Sequence, residues 1–167
     1  MKEDDNRLVC SDAKKAAIKA ARFATASRRQ SQVCRVFECK IVEKRLNKKQ
    51  REQLKLLFIE GKRFYNHILN IHQNGISLKD INTTSIKSVD CLTKDKQLVA
   101  YDLNVIGSQM KQSIVTRMIS NEKTIMTLVK KGLQKHGNLK FKSELNCIPL
   151  KQYGTTYKFK SFNKIKI

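Results

Sequence analysis

The chain has 167 residues, 40% of them hydrophobic, with no Trp and 7% aromatic. It makes one domain or one and a fraction, around an aliphatic core of Leu, Ile, Val and Met. Thirty-five Lys and Arg against fourteen Asp and Glu give a formal charge of +21, and a compact chain so charged repels itself until a polyanion relieves it. Nucleic acid is the first partner to expect, because each neutralised phosphate releases a counterion. A membrane is not, because no segment approaches the ~20 apolar residues of a spanning helix.

Residues 1–32 stand apart. The opening MKEDDNRLV is acidic and lacks the apolar run of a secretory signal. SDAKKAAIKAARFATASRRQSQ is Ala-rich and basic, with a helix possible over about 12–23 and Ser11 as its N-cap. So little of it can be buried that a mobile basic arm is expected. Residues 33–46 read as a first strand, with Phe37, Cys39 and Ile41 on one side and Glu38 and Lys40 on the other.

Residues 47–137 read as a helical region. Asn47 caps the first helix, with Gln50 at capping-box spacing. Leu54, Leu57, Phe58, Gly61, Phe64, Tyr65, Ile68 and Leu69 recur at three and four and make one apolar stripe. Gly61 on that stripe lowers helix stability by about 1 kcal/mol against Ala, so another element is expected to approach closely there. NGISLKDINTTSIKSVD reads as a polar linker with one short turn, and residues 92–101 have no clear assignment. A second helix is expected over about 108–134, with Met110, Ile114, Met118, Ile125 and Leu128 or Val129 on its core side. Gly132 and Gly137 supply stop signals, and Lys130, Lys131 and Lys135 suit its C-terminal dipole.

Residues 138–167 read as returning strands, with Pro149 placed before a strand at Leu150, where a missing N–H is tolerable. The first strand would join these last ones and close a sheet or small barrel, an α+β layout with the helices inserted. FNKIKI reads as a strand with one uncovered side, an open edge that invites pairing with another chain. The polypeptide is therefore expected to be incomplete as a folding unit or to be completed by a partner.

The chemistry of catalysis is missing. No G-x-x-x-x-G-K-[ST] or G-x-G-x-x-G loop occurs. The sparse carboxylates, such as Glu43, Glu52 and Glu60, lie near lysines, and nothing brings Asp80, Asp90, Asp95 and Asp102 together for two-metal chemistry. His67, His72 and His136 have no metal spacing. The five cysteines, Cys10, Cys34, Cys39, Cys91 and Cys147, are scattered and odd in number, as for reduced thiols in an intracellular protein. No metal or cofactor is expected, and the chain reads as a binder.

Two stretches interleave basic and aromatic residues. In GKRFYN, Phe64 and Tyr65 face the core, while Lys62 and Arg63 point to the outer flank, where phosphates can be gripped. In NLKFKSELNCIPLKQYGTTYKFKSFNK, Lys140, Lys142, Lys151, Lys158, Lys160 and Lys164 accompany Phe141, Tyr153, Tyr157, Phe159 and Phe162. Lys158 and Lys160 share one strand face, and Tyr157 and Phe159 the other. A solvated sheet face explains any one of these lysines. It explains the set less well, because acidic partners are missing.

VFECKIVEKRLNKKQREQLKLLFIEGKRFYNHIL resembles the opening of transposon-encoded TnpB nucleases and the related type V CRISPR effectors. There, a first strand leads to a Thr- or Asn-capped x-K-x-Q helix ending in R-F-V-Y-N, here Arg63, Phe64, Tyr65 and Asn66. SQMKQSIVTRMISNEKTIMTLVKKG resembles the family's next recognition helix, and GNLKFKSELNCIPLKQYGTTYKFKSFNKIKI the return into its wedge barrel. The likeness covers about residues 33–167, is weakest between the helices, and leaves 1–32 outside.

The resemblance implies a wedge-type β-barrel with inserted recognition helices that holds guide RNA and the RNA–DNA heteroduplex and reads a flanking motif on duplex target DNA. It implies that Gln109, Lys111 and Gln112, and Gly154, Thr155 and Thr156 after Tyr153, face the flanking-motif duplex, amides and hydroxyls suiting base edges and lysines phosphates. Lys62, Arg63, Asn66, Arg117, Lys130, Lys131, Lys140, Lys142, Lys151, Gln152, Lys158 and Lys160 complete the expected nucleic-acid contacts. The family's RuvC-like nuclease and zinc finger match nothing here, so cleavage does not carry over. A nuclease part or second chain would have to supply it. The localisation implied is intracellular, cytoplasmic or nucleoid in a prokaryote. Two other readings stay open: a small ribosomal-type RNA-binding protein, and a helix-turn-helix repressor, which would need two short helices joined by a 3–4-residue turn.

Overall fold

The computed structural model describes residues 12–31, 41–93, 95–135, 137–151, 153–154, 156–161 and 164–166. They fall into two compact units, Met1–Val42 and Glu43–Ile167.

In the first unit the described element is helix α1, Asp12–Gln30. It runs about two turns beyond the expected end, because ATASRR contains no breaker, and the Thr25 hydroxyl donates to the Ala21 carbonyl at 2.8 Å. Ser11, the expected cap, lies outside the described residues. Ile18 is 45% and Phe23 76% exposed. With no buried face of its own in this unit, α1 rests on the helix propensity of its alanines and on local pairs such as Lys15 with Asp12 at 3.2 Å.

Most of the strand expected over 33–46 lies outside the described residues. Its last part is not a strand: Glu43–Arg45 forms a single 3-10 turn, a usual lead-in to a helix N-terminus. Helix α2, Lys48–Gln73, follows. Its capping box is present, with the Gln50 N–H donating to Asn47 Oδ1 at 2.8 Å and the Asn47 N–H to Gln50 Oε1 at 3.0 Å. Leu57, Gly61, Phe64, Tyr65, Ile68 and Leu69 are buried as the stripe requires, while Leu54 and Phe58 are half-buried.

A hairpin starts at the end of the polar linker and fills the unassigned stretch 92–101. Strands β1, Ser88–Leu92, and β2, Leu98–Asp102, pair antiparallel in the register Val89↔Tyr101. The turn between them is closed by the Thr93 N–H on the Gln97 carbonyl at 2.8 Å, with Lys96 at φ 58°. Helix α3, Ser108–Lys130, buries Met110, Ile114, Val115 and Met118. Its second half rides higher, with Ile125 and Leu128 half-buried and Val129 exposed. It stops at Lys130, four residues short of the expected end, as the chain turns through Gly132. Residues 74–107 separate α2 from α3, so the two are not a helix-turn-helix pair.

From residue 137 the chain returns across α2 without regular pairing. A methyl placed on Gly61 would lie 2.9 Å from Leu145 Cδ2 and 3.2 Å from Ile148 Cδ1, which is the close approach expected at that glycine. The strand expected at Leu150 is absent, because Leu139, Leu145, Ile148 and Leu150 pack their side chains against the core cluster. Strands β3, Lys158–Ser161, and β4, Lys164–Lys166, form a second antiparallel pair.

Among the described residues the architecture is α+β, with three α-helices and two separate two-stranded sheets. The expected sheet or barrel, closed by the first strand joining the last, does not occur among the described residues. β1 pairs with β2 and β3 with β4, the local pairings with the shorter loops to close. No described helix is long and apolar enough to cross a membrane.

Candidate nucleic-acid interface

Two of the three residues expected on α2, Arg63 and Asn66, hold other elements in place. Arg63 lays its guanidinium carbon 3.5 Å from the centroid of the Tyr101 ring on β2, a cation–π contact that docks the hairpin on the helix. Lys62 is half-buried and, with Arg63, acts on Cys91 of β1. Burial nevertheless pushes that thiol upward against the pull of the two cations, so it does not offer a ready thiolate. Asn66 clamps the returning chain. Its Nδ2 donates to the Lys142 carbonyl and its Oδ1 accepts the Lys142 N–H, each at 2.9 Å. The Lys142 ammonium lies 4.7 Å from the Tyr65 centroid.

Glu60 is 2% exposed. Its carboxylate accepts the N–H groups of Asn104 at 3.1 Å, Val105 at 2.8 Å and Ile106 at 2.9 Å. This fixes the approach to α3. The first turn of α3 then packs inward, and Lys111 goes with it. Its Nζ donates to the Ile86 carbonyl at 2.9 Å and the residue is 6% exposed. Desolvation lowers its pKa, opposed by the charge of Glu60. Lys111 is thus turned away from a duplex approaching that helix end, while Gln109 is half-buried and Gln112 exposed.

The outer face of α3 is open. Gln112, Arg117, Lys130 and Lys131 are exposed, and so are Thr116, Ser120, Lys123 and Thr127. Spacings of three and four place Gln112, Thr116, Ser120, Lys123, Thr127 and Lys130 on one stripe opposite Met110, Ile114 and Met118. Lys123 belongs to this face and was not among the expected contacts, although the spacing alone would have found it.

In the last segment Lys140, Lys151, Lys158 and Lys160 are exposed, and Lys142, Gly154 and Thr156 are half-buried. Gln152 and Thr155 lie outside the described residues. The Thr156 hydroxyl is engaged by the Lys151 carbonyl. Among the described residues of this unit, no Lys or Arg meets a carboxylate within ion-pair distance; a hydrogen-bond contact joins His72 Nε2 and Glu122 Oε1 at 2.9 Å. No group of three or more described His, Cys, Asp or Glu is placed to hold a metal.

Comparisons with protein-family models, curated proteins and solved structures gave no match.

Proposed function

We propose that the chain is a nucleic-acid-binding module, the part of a TnpB-like or type V CRISPR RNA-guided effector that holds guide RNA and target DNA. The observation that carries the nucleic-acid reading is the exposed cationic surface of α3 and the last segment, whose described lysines and arginines meet no described carboxylate within ion-pair distance. Exposed lysines without acids favour a polyanion by counterion release. The narrower reading rests on the resemblance of three ordered segments, the Asn47-capped helix with Arg63 to Asn66, the α3 helix, and the return through Tyr153.

In this reading β3 and β4 belong to a wedge-type sheet. Gln112, Arg117, Lys123, Lys130 and Lys131 contact nucleic acid from α3, and Gln109 touches it at the helix start. Lys111, Asn66 and Arg63 act indirectly, by holding the helices and hairpin in place. Catalysis of strand cleavage is supplied by other residues than these.

The test is sequencing of RNA that copurifies with the chain. One enriched, structured species supports the reading. Random cellular RNA overturns the guide-binding role, and cofractionation with ribosomes transfers the chain to the ribosomal-type class.

A further inference from the structure

We propose that the β3–β4 ribbon and the turn before it form a stacking platform for unpaired bases of single-stranded nucleic acid. The proposal rests on the nucleic-acid reading above and adds the strandedness of the ligand and the place where its bases sit.

Three rings define the platform. Tyr153 and Tyr157 meet edge-on, with centroids 5.6 Å apart and planes at 79°. Tyr157 and Phe159 meet in the same way at 5.9 Å and 89°. Tyr153 and Phe159 stack at 6.0 Å and 28°. The rings are positioned by backbone and by each other. The Gly154 N–H donates to the Tyr157 carbonyl at 2.8 Å. Gly154 sits at φ 93°, a conformation that glycine adopts without steric cost. Tyr153 and Tyr157 form a β-bridge across that turn. Even so, Tyr153 is 62% and Phe159 54% exposed.

The ladder register sorts the ribbon into two faces. Phe159 pairs with Ile165, itself 38% exposed, and continues the apolar face. Lys158 pairs with Lys166 on the opposite face, and both are exposed. Like charges directly opposite in a ladder are unfavourable, and no described carboxylate pairs with either. A ligand on the apolar face presents flat rings, and the long lysine side chains at the narrow ribbon's edge favour one that carries negative charge along its length. Unpaired nucleotides do both, because their bases have free faces to stack on aromatic side chains. The bases inside a duplex are already stacked on one another, so a duplex engages only the lysines.

The experiment uses the full chain and fluorescence anisotropy. The probes are an unstructured RNA of about 12 nucleotides, within the ~4–16 of a single-strand-binding module, the same strand with its central bases removed, and the matching duplex. The wild type should bind the intact strand more tightly than the abasic one, by about 5- to 150-fold for each stacked base. Tyr153→Ala with Phe159→Ala should abolish that preference and leave the abasic affinity and its salt dependence unchanged. Because the chain has four Tyr and no Trp, the intact strand should also quench tyrosine emission where the abasic strand does not.

Equal wild-type binding of intact and abasic strands overturns the platform and leaves the nucleic-acid reading standing. Failure of every probe to bind at low salt overturns that reading and the platform with it. Self-association that the double variant removes, with no base preference at any stage, assigns the face to a second copy of the chain and also overturns the platform.

Discussion

Glu60 sits in the middle of α2 with its carboxylate on three main-chain N–H groups that lead into α3. A buried donor left without a partner costs about 1–3 kcal/mol, and Glu60→Ala leaves one, the Ile106 N–H, besides two part-buried ones at Asn104 and Val105 that water can meet. That variant should lose about 1–3 kcal/mol by urea denaturation, and Glu60→Gln, which keeps one acceptor oxygen, should lose less. An equal loss in both would show that the pin is not made by these bonds. The role was not legible beforehand, because its partners lie 44–46 residues away and a lone Glu among lysines reads as a surface residue. Asn66 and Lys111 were hidden for the same reason. Sequence alone suggests a nucleic-acid contact for each, and each meets a main-chain group far along the sequence.

His67 gives a pH prediction at this scale. Burial lowers its pKa from the ordinary 6.5, while the Asp90 carboxylate and a hydrogen bond with the Asp90 main chain pull upward. The unfolded chain therefore takes up the proton more readily than the folded one. Stability is complete above pH 6.5 and is lost as pH falls from there toward the folded-state value. In chemical denaturation as a function of pH, His67→Asn should flatten the curve below pH 6.5, the difference between the two curves isolating this ring from the other histidines. A variant curve with the wild-type slope would contradict it.

At the scale of elements, Gly61 sets two effects against each other. Ala there gains about 1 kcal/mol of helix propensity, but its methyl reaches Leu145 Cδ2 at 2.9 Å and Ile148 Cδ1 at 3.2 Å. Both neighbours are the flexible ends of side chains, so a small shift accommodates one carbon. Gly61→Ala should stay within about 1 kcal/mol of wild type, whereas Gly61→Leu overpacks the crossing and should lose about 1–3 kcal/mol. Thermal melts of the pair test this, and a tolerated Leu would mean that residues 145–148 are not seated on the helix. Both long helices were readable from apolar spacing and from the Asn47 cap. The β1–β2 hairpin was not. Its turn places Lys96 at φ 58° with no Gly or Asn to announce it, and Leu92 and Leu98, which pair next to that turn, are 68% and 71% exposed. The covered face is Val89 and Cys91 with Val99 and Tyr101, and the exposed leucines on the other face blur that alternation in the sequence. The expected strand at Leu150 failed in the opposite sense, because its apolar groups belong to the core of α2 and not to a ladder.

At the scale of the whole molecule, the charge of +21 sets how stability responds to salt. Screening of self-repulsion should raise the melting temperature as NaCl is added to the protein alone. A short RNA should raise it further at low salt by binding the folded form. A melting temperature that falls with NaCl would mean that attraction, not repulsion, dominates the surface. The same charge should make RNA affinity fall steeply with salt. Replacing Lys123, Lys130 or Lys131 by Gln should reduce the log–log slope by about 1 for each phosphate contact removed. An unchanged slope would take that face of α3 out of the interface.

The Asn66 clamp also has a consequence in time. Asn66 closes on Lys142, 76 residues further along the chain. At about 5–20 residues per second of synthesis, α2 is made roughly 4–15 s before the segment that covers it. Throughout that interval the nascent helix carries Phe64, Tyr65, Ile68 and Leu69 without their final cover. The hairpin and α3 arrive first and shield part of the stripe. The Gly61 crossing closes only when residues 145–148 leave the ribosome, and a ribosome stalled before that point holds a chain with an open groove along α2, a substrate for chaperones.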